Sequence, residues 1–483
     1  MGLDPGLRRL ALGTLLAAYA GPVPPDWAVD LLADGLAGHT LFGTNIHDPA
    51  QVAATTAALR AGRPDVLIAI DEEGGDVTRL AHATGSPYPG NAALGAVDDL
   101  TLTRQVYAAI GAELAALGIN LDLAPTVDVN TADENPVIGT RSFGADPARV
   151  AAHSAAAVAG LQSAGVAACA KHFPGHGATV ADSHYELPTV DVPPAVLRER
   201  DLPPFAAVVD AGVRAVMTAH IRVPALTGDG PATFSRAVLV DLLRRDYGFT
   251  GAVITDALEM KGAALAAGGV GPAAVRALAA GADLLCIGAK VDADLVAHVV
   301  EEIVAALADG RLDRARVEEA AGRAAELAAW TATGGTAATT PDGLGYAAAL
   351  RAVRVEGDIT GLAAPLVVQV HATSTIAEGR VPWGLGPHLA GAEEVRAVAG
   401  ETDPDELRGL AGERPIVLVG RHLHRLPGAR ELVDALAATH PVTVVEMGWP
   451  GDWRPTGARA FVTTYGASHA NGRAAAQVLG LAG

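Results

Sequence analysis

Cysteine is scarce in this chain of 483 residues, which contains only Cys169 and Cys286. Each lies inside an apolar run, VAACA for the first and LLCIG for the second. Two cysteines in so long a chain do not make the disulfide framework that stabilises small secreted domains. We therefore expect both residues to be buried core thiols.

Positive charge is in deficit as well. The chain has 35 lysines and arginines against 54 acidic residues, a net charge of −19. A surface this acidic repels phosphate backbones and anionic lipid headgroups, so neither a nucleic acid nor a membrane is an expected partner. Hydrophobic residues make up 50% of the chain and charged residues only 18%, which allows large buried cores. A chain of this length favours two domains or three.

Long apolar runs are missing, because no window reaches the roughly 18 uninterrupted apolar residues that a membrane span needs. The stretch RRLALGTLLAAYAG, residues 8–21, loosely imitates a secretory signal with its two arginines before an apolar run. Asp4 precedes those arginines, however, and Gly13 and Thr14 interrupt the run. We expect this stretch to supply the first helix and strand of the fold, and the protein to be cytoplasmic rather than secreted.

Short apolar segments followed by Ala-rich helical stretches recur up to about residue 335. Their interiors are continuous apolar runs, which are typical of parallel strands covered on both faces. Eight such units predict an α/β fold with an N-terminal (β/α)8 TIM-type barrel. The predicted strands are LGTLLAAYA, HTLFGTN, VLIAID, INLDLAP, VAACAKHF, AVMTAH, GAVITDA and ADLLCIG.

A change in composition marks the end of the predicted barrel. The segment TATGGTAATTPDGLG, residues 331–345, is rich in Gly and Thr and nearly uncharged, as in a linker. Beyond it, APLVVQV, PIVLVG, PVTVVEM and RAFVTTYG predict a smaller α/β sheet domain, and no G-x-G-x-x-G dinucleotide motif follows any of them. We predict a barrel over residues 1–335, a linker over 336–350 and a C-terminal α/β domain over 351–483.

Ionisable residues follow several of the predicted barrel strands. The carboxyl ends of the strands line the active site in such barrels. A charged group directly after a buried strand is costly unless it is paired or functional. We therefore expect these side chains to converge at one mouth. They are Asp71, Lys171, His172, His220 and Asp256.

The loop KHFPGHGATVADSHYEL, residues 171–187, carries an acid–imidazole pair over the same mouth. Asp182 can accept one ring N–H of His184 and raise the basicity of the other ring nitrogen. The imidazole can then donate a proton to a leaving group and later accept one from water. The glycines and the proline favour a loop that closes over a substrate. Asp256 can serve as a nucleophile, as a general base or as a holder of a neighbour.

Other polar residues near the predicted mouth have less specific roles. Asp122 and Asp128 lie in LDLAPTVDVN, and one of them could brace Arg141 or Lys171. His176 is expected to structure its loop rather than to act on substrate.

At these residues the sequence resembles glycoside hydrolase family 3, specifically its β-N-acetylhexosaminidase branch. The resemblance covers nearly all of the first 335 residues or so, and the remainder is more loosely similar to the second α/β domain of many members. Five motifs occur in the order and spacing of the family. They are DEEGGDVTRL at 71–80, NPVIGTRSFG at 135–144, KHFPGHG at 171–177, DSH at 182–184 and VITDALEM at 253–260.

The resemblance implies a retaining exo-β-N-acetylhexosaminidase that removes terminal β-linked N-acetylglucosamine. It assigns Asp256 as the nucleophile of a covalent glycosyl-enzyme, His184 as the acid/base and Asp182 as its partner. The expected partner is thus a small carbohydrate, and no cofactor and no metal are implied. The residues that would hold the hydroxyls and the N-acetyl group are Asp71, Arg79, Arg141, Lys171 and His172.

Three alternatives stay open. Retaining glycosidases usually pair two carboxyl groups about 5–5.5 Å apart. A neutral imidazole in place of one does not repel phosphate, so a β-N-acetylglucosaminide phosphorylase is the first alternative. A β-glucosidase of the same family is the second, although such members typically take the acid/base from the second domain. The third is a metal-dependent barrel hydrolase, whose usual H-x-H spacing is absent. Its ligands would come from His172, His176, His184, His220, Asp182 and Asp256.

Overall fold

The computed structural model describes residues 4–288, 291–336 and 341–483. All twelve predicted strands are present, and each is shorter than the apolar run that predicts it. In chain order the strands are β1 (Leu15–Ala17), β2 (Gly38–Leu41), β3 (Leu67–Ile70), β4 (Leu121–Asp122), β5 (Ala167–Phe173), β6 (Ala215–Thr218), β7 (Ala252–Thr255), β8 (Leu285–Cys286), β9 (Arg354–Gly357), β10 (Leu366–Val370), β11 (Glu393–Ala397), β12 (Ile416–Gly420), β13 (Val442–Glu446) and β14 (Ala460–Thr463).

Several helices begin at an aspartate that accepts a hydrogen bond from a backbone N–H of the first turn, as Asp48, Asp146 and Asp292 do. Such caps satisfy donors that have no partner inside the helix. A π-helix also spans Ala237–Asp246. The α-helices are α1 (Pro5–Leu12), α2 (Asp26–Asp34), α3 (Pro49–Gly62), α4 (Asn91–Val97), α5 (Leu100–Ala116), α6 (Pro147–Ser163), α7 (Pro194–Arg200), α8 (Pro203–Asp210), α9 (Pro224–Thr227), α10 (Lys261–Ala267), α11 (Val270–Ala280), α12 (Ala293–Asp309), α13 (Arg314–Thr331), α14 (Leu344–Ala352), α15 (Pro404–Ala411), α16 (Ala429–Ala437) and α17 (His469–Val478).

The first eight strands form one parallel sheet in the order β7-β6-β5-β4-β3-β2-β1-β8. A parallel bridge between Ile254 and Leu284 links the two edge strands, so the sheet is a nearly closed barrel. The predicted (β/α)8 architecture is confirmed, and residues 8–21 contain the end of α1 and all of β1, as expected.

Alternate side chains along the strands fill the barrel interior, as the pairs Leu67 and Ala69 of β3 and Ala167 and Cys169 of β5 illustrate. Helix α13 contributes to the same core. Cys169 and Cys286 are both buried free thiols in this core, which confirms their predicted state. Burial raises the pKa of both thiols.

The chain divides into two units whose segments are interleaved in sequence. The predicted division into consecutive ranges remains a prediction. Residues 337–340 of the predicted linker lie outside the described residues. The first unit comprises Met1–Glu72, Thr103–Val137 and Ala145–Thr340, and the second comprises Glu73–Leu102, Ile138–Gly144 and Pro341–Gly483.

The second unit contains a six-stranded sheet in the order β11-β10-β12-β13-β14-β9. All neighbouring strands are parallel except the edge strand β9, which is antiparallel to β14. Its two faces bury separate apolar cores, one against α15 and α16 and the other against α17. The predicted α/β sheet domain is confirmed, with helices on both sides of the sheet.

No single α-helix in the described ranges has the length and apolar character needed to cross a membrane. One pair, Lys261–Ala267 and Val270–Ala280, meets the length and composition requirement together but is bent by 92° at its break.

Candidate active site

The predicted strand-end residues of the first unit lie at the carboxyl ends of their strands. Asp71 follows β3 directly, Lys171 and His172 belong to the last residues of β5, and Asp256 follows β7 directly. His220 lies two residues beyond the end of β6. In a barrel of parallel strands these ends form one rim, which is where enzymes of this fold bind substrate.

Lys171 is nearly fully buried and is paired with Asp71. The Lys171 Nζ lies 2.8 Å from Asp71 Oδ1, and the two side chains are 3% and 16% exposed. A buried ammonium group is costly unless a carboxylate compensates it. The pair therefore fixes both side chains across strands β5 and β3, with the carboxylate the more accessible of the two.

Asp128, in the loop that follows β4, anchors the end of β5. Its Oδ2 lies 2.7 Å from His172 Nδ1, and its Oδ1 accepts the backbone N–H of His176 at 2.6 Å. Burial tends to raise the pKa of Asp128, but the adjacent His172 ring outweighs it and the pKa is lowered. With Nδ1–H donated to Asp128, a neutral His172 carries its lone pair on Nε2.

Asp128 contacts the imidazole of His172, and Asp71 contacts Lys171. Burial raises the pKa of Asp122, and the nearby Lys171 ammonium opposes that rise. Bracing of Lys171 or Arg141 by Asp122 or Asp128 stays a prediction. Asp122 is fully buried in β4 and accepts the backbone N–H of Glu72 at 3.0 Å. No local pattern in the sequence distinguishes Asp122 from Asp128, because both lie in one polar-flanked apolar stretch.

The loop after β5 is held together by His176, as expected. Its Nδ1 lies 2.7 Å from Thr179 Oγ1 and its Nε2 lies 3.2 Å from Ser183 Oγ. Burial lowers the pKa of His176 to about 4, so the ring is neutral near neutral pH. Gly177 packs directly on backbone, since a Cβ there would lie 1.9 Å from the carbonyl oxygen of Val129. At this position the glycine permits close packing, and the closing motion of the loop stays a prediction.

Asp182 and His184 form the predicted acid–imidazole pair. Asp182 Oδ1 lies 2.6 Å from His184 Nδ1 and also accepts the backbone N–H of His184 at 2.9 Å. Burial tends to raise the pKa of Asp182, but the hydrogen bond from His184 outweighs it and the pKa is lowered. The carboxylate thus holds Nδ1–H and leaves Nε2 as the nitrogen that exchanges a proton. Within the described part of the chain, Nε2 makes no hydrogen bond.

Asp256 is half-buried, and its Oδ1 accepts the backbone N–H of Ala257 at 2.8 Å. Burial tends to raise the pKa of Asp256, but three nearby imidazoles outweigh it and the pKa is lowered. The imidazoles belong to His220, His172 and His184. The strand ends and the DSH loop are therefore brought together around one ionised carboxylate.

His220 holds the backbone beside Asp256. Its Nε2 lies 3.1 Å from the carbonyl oxygen of Ala257, and its Nδ1 lies 2.7 Å from Thr233 Oγ1. Burial lowers the pKa of His220, which favours a neutral ring that donates Nε2–H to Ala257 and accepts from Thr233. Thr233 had no sequence signal, because it lies in an unrelated segment thirteen residues away.

Two further residues predicted to bind substrate, Arg79 and Arg141, belong to the second unit. Arg141 is buried and forms a bidentate pair with Glu73, with distances of 2.9 Å from Nε to Oε2 and 2.7 Å from Nη2 to Oε1. Arg79 is half-buried, and its carbonyl oxygen contacts the ring nitrogen Nδ1 of His82 at 3.0 Å. Sequence reasoning missed Glu73, although it lies inside the DEEGGDVTRL motif.

Among the residues with described positions, no group of three or more His, Cys, Asp or Glu side chains has an arrangement that could hold a metal ion. Each of the six candidate ligands of the zinc alternative has a hydrogen-bond partner described above.

A parallel barrel with an ionised carboxylate, a buried lysine and an acid–imidazole pair at one rim has the groups of a barrel enzyme that works by nucleophilic and acid–base chemistry. The profile of the "Glycosyl hydrolase family 3 N terminal domain" matches residues 24–327. The chain belongs to this family and is a glycoside hydrolase, as the motifs predicted.

Known proteins are similar over different parts of the chain. A β-hexosaminidase A of Pseudoalteromonas piscicida is 38% identical over 262 residues, which are 50% of this chain and 44% of that protein. A β-hexosaminidase of Nitrosomonas eutropha is 35% identical over 325 residues, 65% of this chain and 92% of that protein. The solved structure of a family 3 β-N-acetylglucosaminidase from Paenibacillus sp. str. FPU-7 is similar over 99% of this chain and 97% of that one, with a TM-score of 0.89 and 33% identity. These relatives confirm the β-N-acetylhexosaminidase-like branch.

Proposed function

We propose that this protein is a retaining exo-β-N-acetylhexosaminidase that releases terminal β-linked N-acetylglucosamine. The observation that carries the proposal is the His184–Asp182 pair, 2.6 Å apart, close enough to Asp256 for its imidazole to help lower the pKa of that carboxyl. The proposed nucleophile and the proposed proton donor both belong to the first unit. The relatives named as β-hexosaminidases support the N-acetylhexosamine part of the proposal.

In the first step Asp256 attacks the anomeric carbon of the terminal sugar. Its Oδ1 is held by the Ala257 amide, so Oδ2 is the attacking oxygen. As the new C–O bond forms, the bond to the leaving oxygen breaks, and protonated His184 gives its Nε2 proton to that oxygen. The Asp182 carboxylate stabilises the imidazolium beforehand. The step yields a covalent glycosyl-enzyme, a free alcohol and a neutral His184.

In the second step water attacks the anomeric carbon from the side that the leaving group has left. Neutral His184 takes the proton of this water on Nε2, and the bond to Asp256 breaks. The free sugar, the Asp256 carboxylate and the protonated His184 are restored. Two inversions at one carbon leave the anomeric configuration unchanged.

Fixed donors and acceptors would hold the sugar during both steps. The Lys171–Asp71 pair and His172 supply them in the first unit, and each has its geometry set by a buried partner. Arg79 and Arg141 stay proposed sugar-binding residues of the second unit, since planar guanidinium groups suit hydroxyl and amide oxygens. Binding by several fixed groups also orients the anomeric carbon toward Asp256, which lowers the entropic cost of reaching the transition state.

The test is a product assay on a β-N-acetylglucosaminide with and without phosphate, for the wild type and for His184→Ala. We expect free N-acetylglucosamine with retained configuration in both buffers. Sugar 1-phosphate at high phosphate would instead establish the phosphorylase, which the sequence reasoning leaves open because a neutral imidazole does not repel an incoming anion.

Two further experiments, a comparison of substrates and a chelation assay, distinguish the remaining alternatives. Faster cleavage of an aryl glucoside than of the aryl N-acetylglucosaminide would establish a β-glucosidase. Loss of turnover on extensive chelation, restored by zinc, would establish a metal-dependent hydrolase. We expect the N-acetylglucosaminide to be preferred and turnover to survive chelation.

A further inference from the structure

A buried carboxylate in the second unit, Asp76, is bound from two sides. Its Oδ2 accepts the hydroxyl of Thr140 at 2.7 Å and lies 3.2 Å from Arg421 Nη2. Its Oδ1 accepts the backbone N–H of Ala467 at 2.7 Å. Asp76 and Thr140 belong to the segments before residue 145, whereas Arg421 and Ala467 belong to the C-terminal segment. One carboxylate therefore joins all three segments of this unit.

Arg421 is itself buried between two carboxylates. Its Nη2 lies 2.5 Å from Glu378 Oε1 and 3.2 Å from Asp76 Oδ2, and the three side chains are 7%, 9% and 3% exposed. Burial tends to lower the pKa of Arg421, but the two carboxylates outweigh it and the pKa is raised. Removing one member of a buried ion pair leaves an uncompensated charge, so such a cluster strongly resists rearrangement. We call Asp76, Glu378 and Arg421 the Asp76 cluster.

The cluster lies at the carboxyl ends of two central strands of the C-terminal sheet. Arg421 follows β12 directly, and Glu378 lies in the loop after β10. The chain leaves β10 toward β11 on one side and leaves β12 toward β13 on the other. Open α/β sheets bind ligands in the crevice at such a reversal of direction. Here the side chain of Asp76 takes that position.

Little space remains beside the cluster. The adjoining cavity, lined by Asp76, Trp383 and Arg421 among others, has a volume of only about 10 Å³. A single buried water needs about that much. The segment that carries Asp76 therefore fills the crevice, and the positive charge of Arg421 is already paired with the carboxylates of Asp76 and Glu378.

The segments that Asp76 and Thr140 belong to also carry the two arginines proposed to bind the sugar. Arg79 is three residues beyond Asp76, and Arg141 directly follows Thr140. The guanidinium of Arg141 is held by Glu73, three residues before Asp76. A shift of the backbone around Asp76 would therefore displace both arginines and the carboxylate that orients one of them.

Additional contacts join the same segments to the C-terminal part of the second unit. Arg351 Nη2 donates to Asp99 Oδ2 at 2.9 Å, and Arg354 Nη2 donates to the carbonyl oxygen of Ala96 at 2.8 Å. Gly345 packs on backbone, since a Cβ there would lie 2.0 Å from the carbonyl oxygen of Pro87. The backbone N–H of Ala470 also donates to the carbonyl oxygen of Ser86 at 3.3 Å, and both residues are buried. The Asp76 cluster adds buried, charged contacts to this attachment.

We propose that Arg421 is a positioning residue for sugar binding. It fixes Asp76, and through Asp76 and Thr140 it sets the backbone that presents Arg79 and Arg141. The C-terminal sheet thus affects the reaction indirectly, because it orders the segments that carry Arg79 and Arg141. It does so through the carboxyl ends of its strands, where other open α/β sheets bind ligands. The inference rests on the proposed function for its kinetic readout.

The first test is Arg421→Gln with an aryl β-N-acetylglucosaminide as substrate. We expect KM to rise by about 10- to 100-fold, because displaced Arg79 and Arg141 would bind the sugar less well in the ground state and the transition state alike. The value of kcat should change less than threefold, since Asp256 and His184 are untouched and uniform binding is what is lost. Arg421→Lys keeps one ion pair and should restore part of the affinity.

A double-mutant cycle with Asp76→Asn separates positioning from general damage. Both variants break the same contact, so the double variant should raise KM no more than the worse single variant. The control is Arg459→Gln, which breaks the exposed pair with Asp358 in the same unit and should leave KM unchanged. Circular dichroism checks that each variant is folded.

Hydrogen exchange supplies a readout that does not need turnover. In Arg421→Gln, residues 73–90 and 138–144 should exchange faster, whereas β12 itself should exchange as in the wild type. An unchanged KM together with unchanged exchange in those segments would overturn the proposal. If the wild type fails to cleave any N-acetylhexosaminide, the proposed function fails, and the exchange result alone still decides whether Arg421 positions the segments.

Discussion

At the scale of single residues, three carboxylates at the barrel rim each contact a lysine or a histidine side chain. Asp71 holds Lys171, Asp128 holds His172, and Asp182 holds His184. In the last two pairs the carboxylate fixes which ring nitrogen carries the proton, and in His184 this leaves Nε2 for proton exchange. Under the proposed function, proton transfer by His184 depends on the contact that Asp182 makes with its Nδ1.

His184→Ala should slow substrates with poor leaving groups by about 10²- to 10⁴-fold, because these need a proton from the enzyme. Activated aryl glycosides, whose leaving group departs unaided, should lose far less. Turnover of a disaccharide and of a nitrophenyl glycoside measures the difference. Tyr185→Phe, at the exposed neighbouring position, is the matched control and should behave as the wild type. Equal losses on both substrates would make His184 a structural residue.

Asp128→Asn should change how stability depends on pH. The pKa of Asp128 is lower in the folded chain than its ordinary value of about 3.9, so the folded state binds fewer protons there. The stabilisation is fully present above that ordinary value and is lost as the pH falls through the lowered folded value. The variant should lose about 3 kcal/mol near pH 7 and progressively less below about pH 4.

Denaturant unfolding at several pH values measures this difference. Asp65→Asn, which removes a partly exposed pair with Arg63, is the control and should change stability little at any pH. A constant difference between Asp128→Asn and the wild type across the pH range would show that ionisation of Asp128 contributes nothing.

At the scale of elements, the loop after β5 positions the DSH pair by tight packing. Gly177 lies against the carbonyl of Val129, and His176 spans the loop from Thr179 to Ser183. The motif KHFPGHG thus supplies a strand end, an internal brace and a glycine that lets two backbones touch. The elements β9 and β11 show the opposite case, because they are mostly exposed edge strands with charged residues. Neither has the apolar run that predicts a strand.

Gly177→Ala should therefore lower both stability and activity. The added methyl group would meet backbone rather than a side chain that can turn away, and overpacking of this kind costs about 1–3 kcal/mol. The displaced loop should also lower kcat/KM. Gly322→Ala in α13 is the matched control, since nothing lies within 4 Å of the added group and alanine favours a helix by up to about 1 kcal/mol. Stability changes of the same sign in both variants would refute this account.

At the scale of the whole molecule, the two units are not consecutive stretches of the chain. Residues 73–102 and 138–144, which contain Arg79 and Arg141, cluster with the C-terminal segment. A boundary drawn where the composition changes, near residues 331–345, separates parts of the second unit from each other. We therefore predict that the C-terminal segment helps to order loops that precede it by several hundred residues.

Removal of residues 341–483 should abolish turnover. Asp76 would lose Arg421 and the amide of Ala467 and would keep only the Thr140 hydroxyl as a partner among those described above. A chain ending at residue 340 should consequently show faster exchange over residues 73–102 and no cleavage of a nitrophenyl N-acetylglucosaminide. Full activity of that shorter chain would show that the barrel segments order themselves alone.

The sequence by itself determined the barrel, the second sheet, the family and the placement of Asp71, Lys171, His172 and Asp256 at strand ends. Continuous apolar runs and ordered motifs are local features of the sequence, so they can be recognised without knowledge of the tertiary contacts. Only the tertiary structure decided which acid holds which base, as with Asp128 on His172, and which segments form one unit. Those outcomes depend on side chains that lie tens to hundreds of residues apart in the sequence. A buried charge needs a partner of opposite charge or a hydrogen bond, and the fold decides which residue is near enough to provide it.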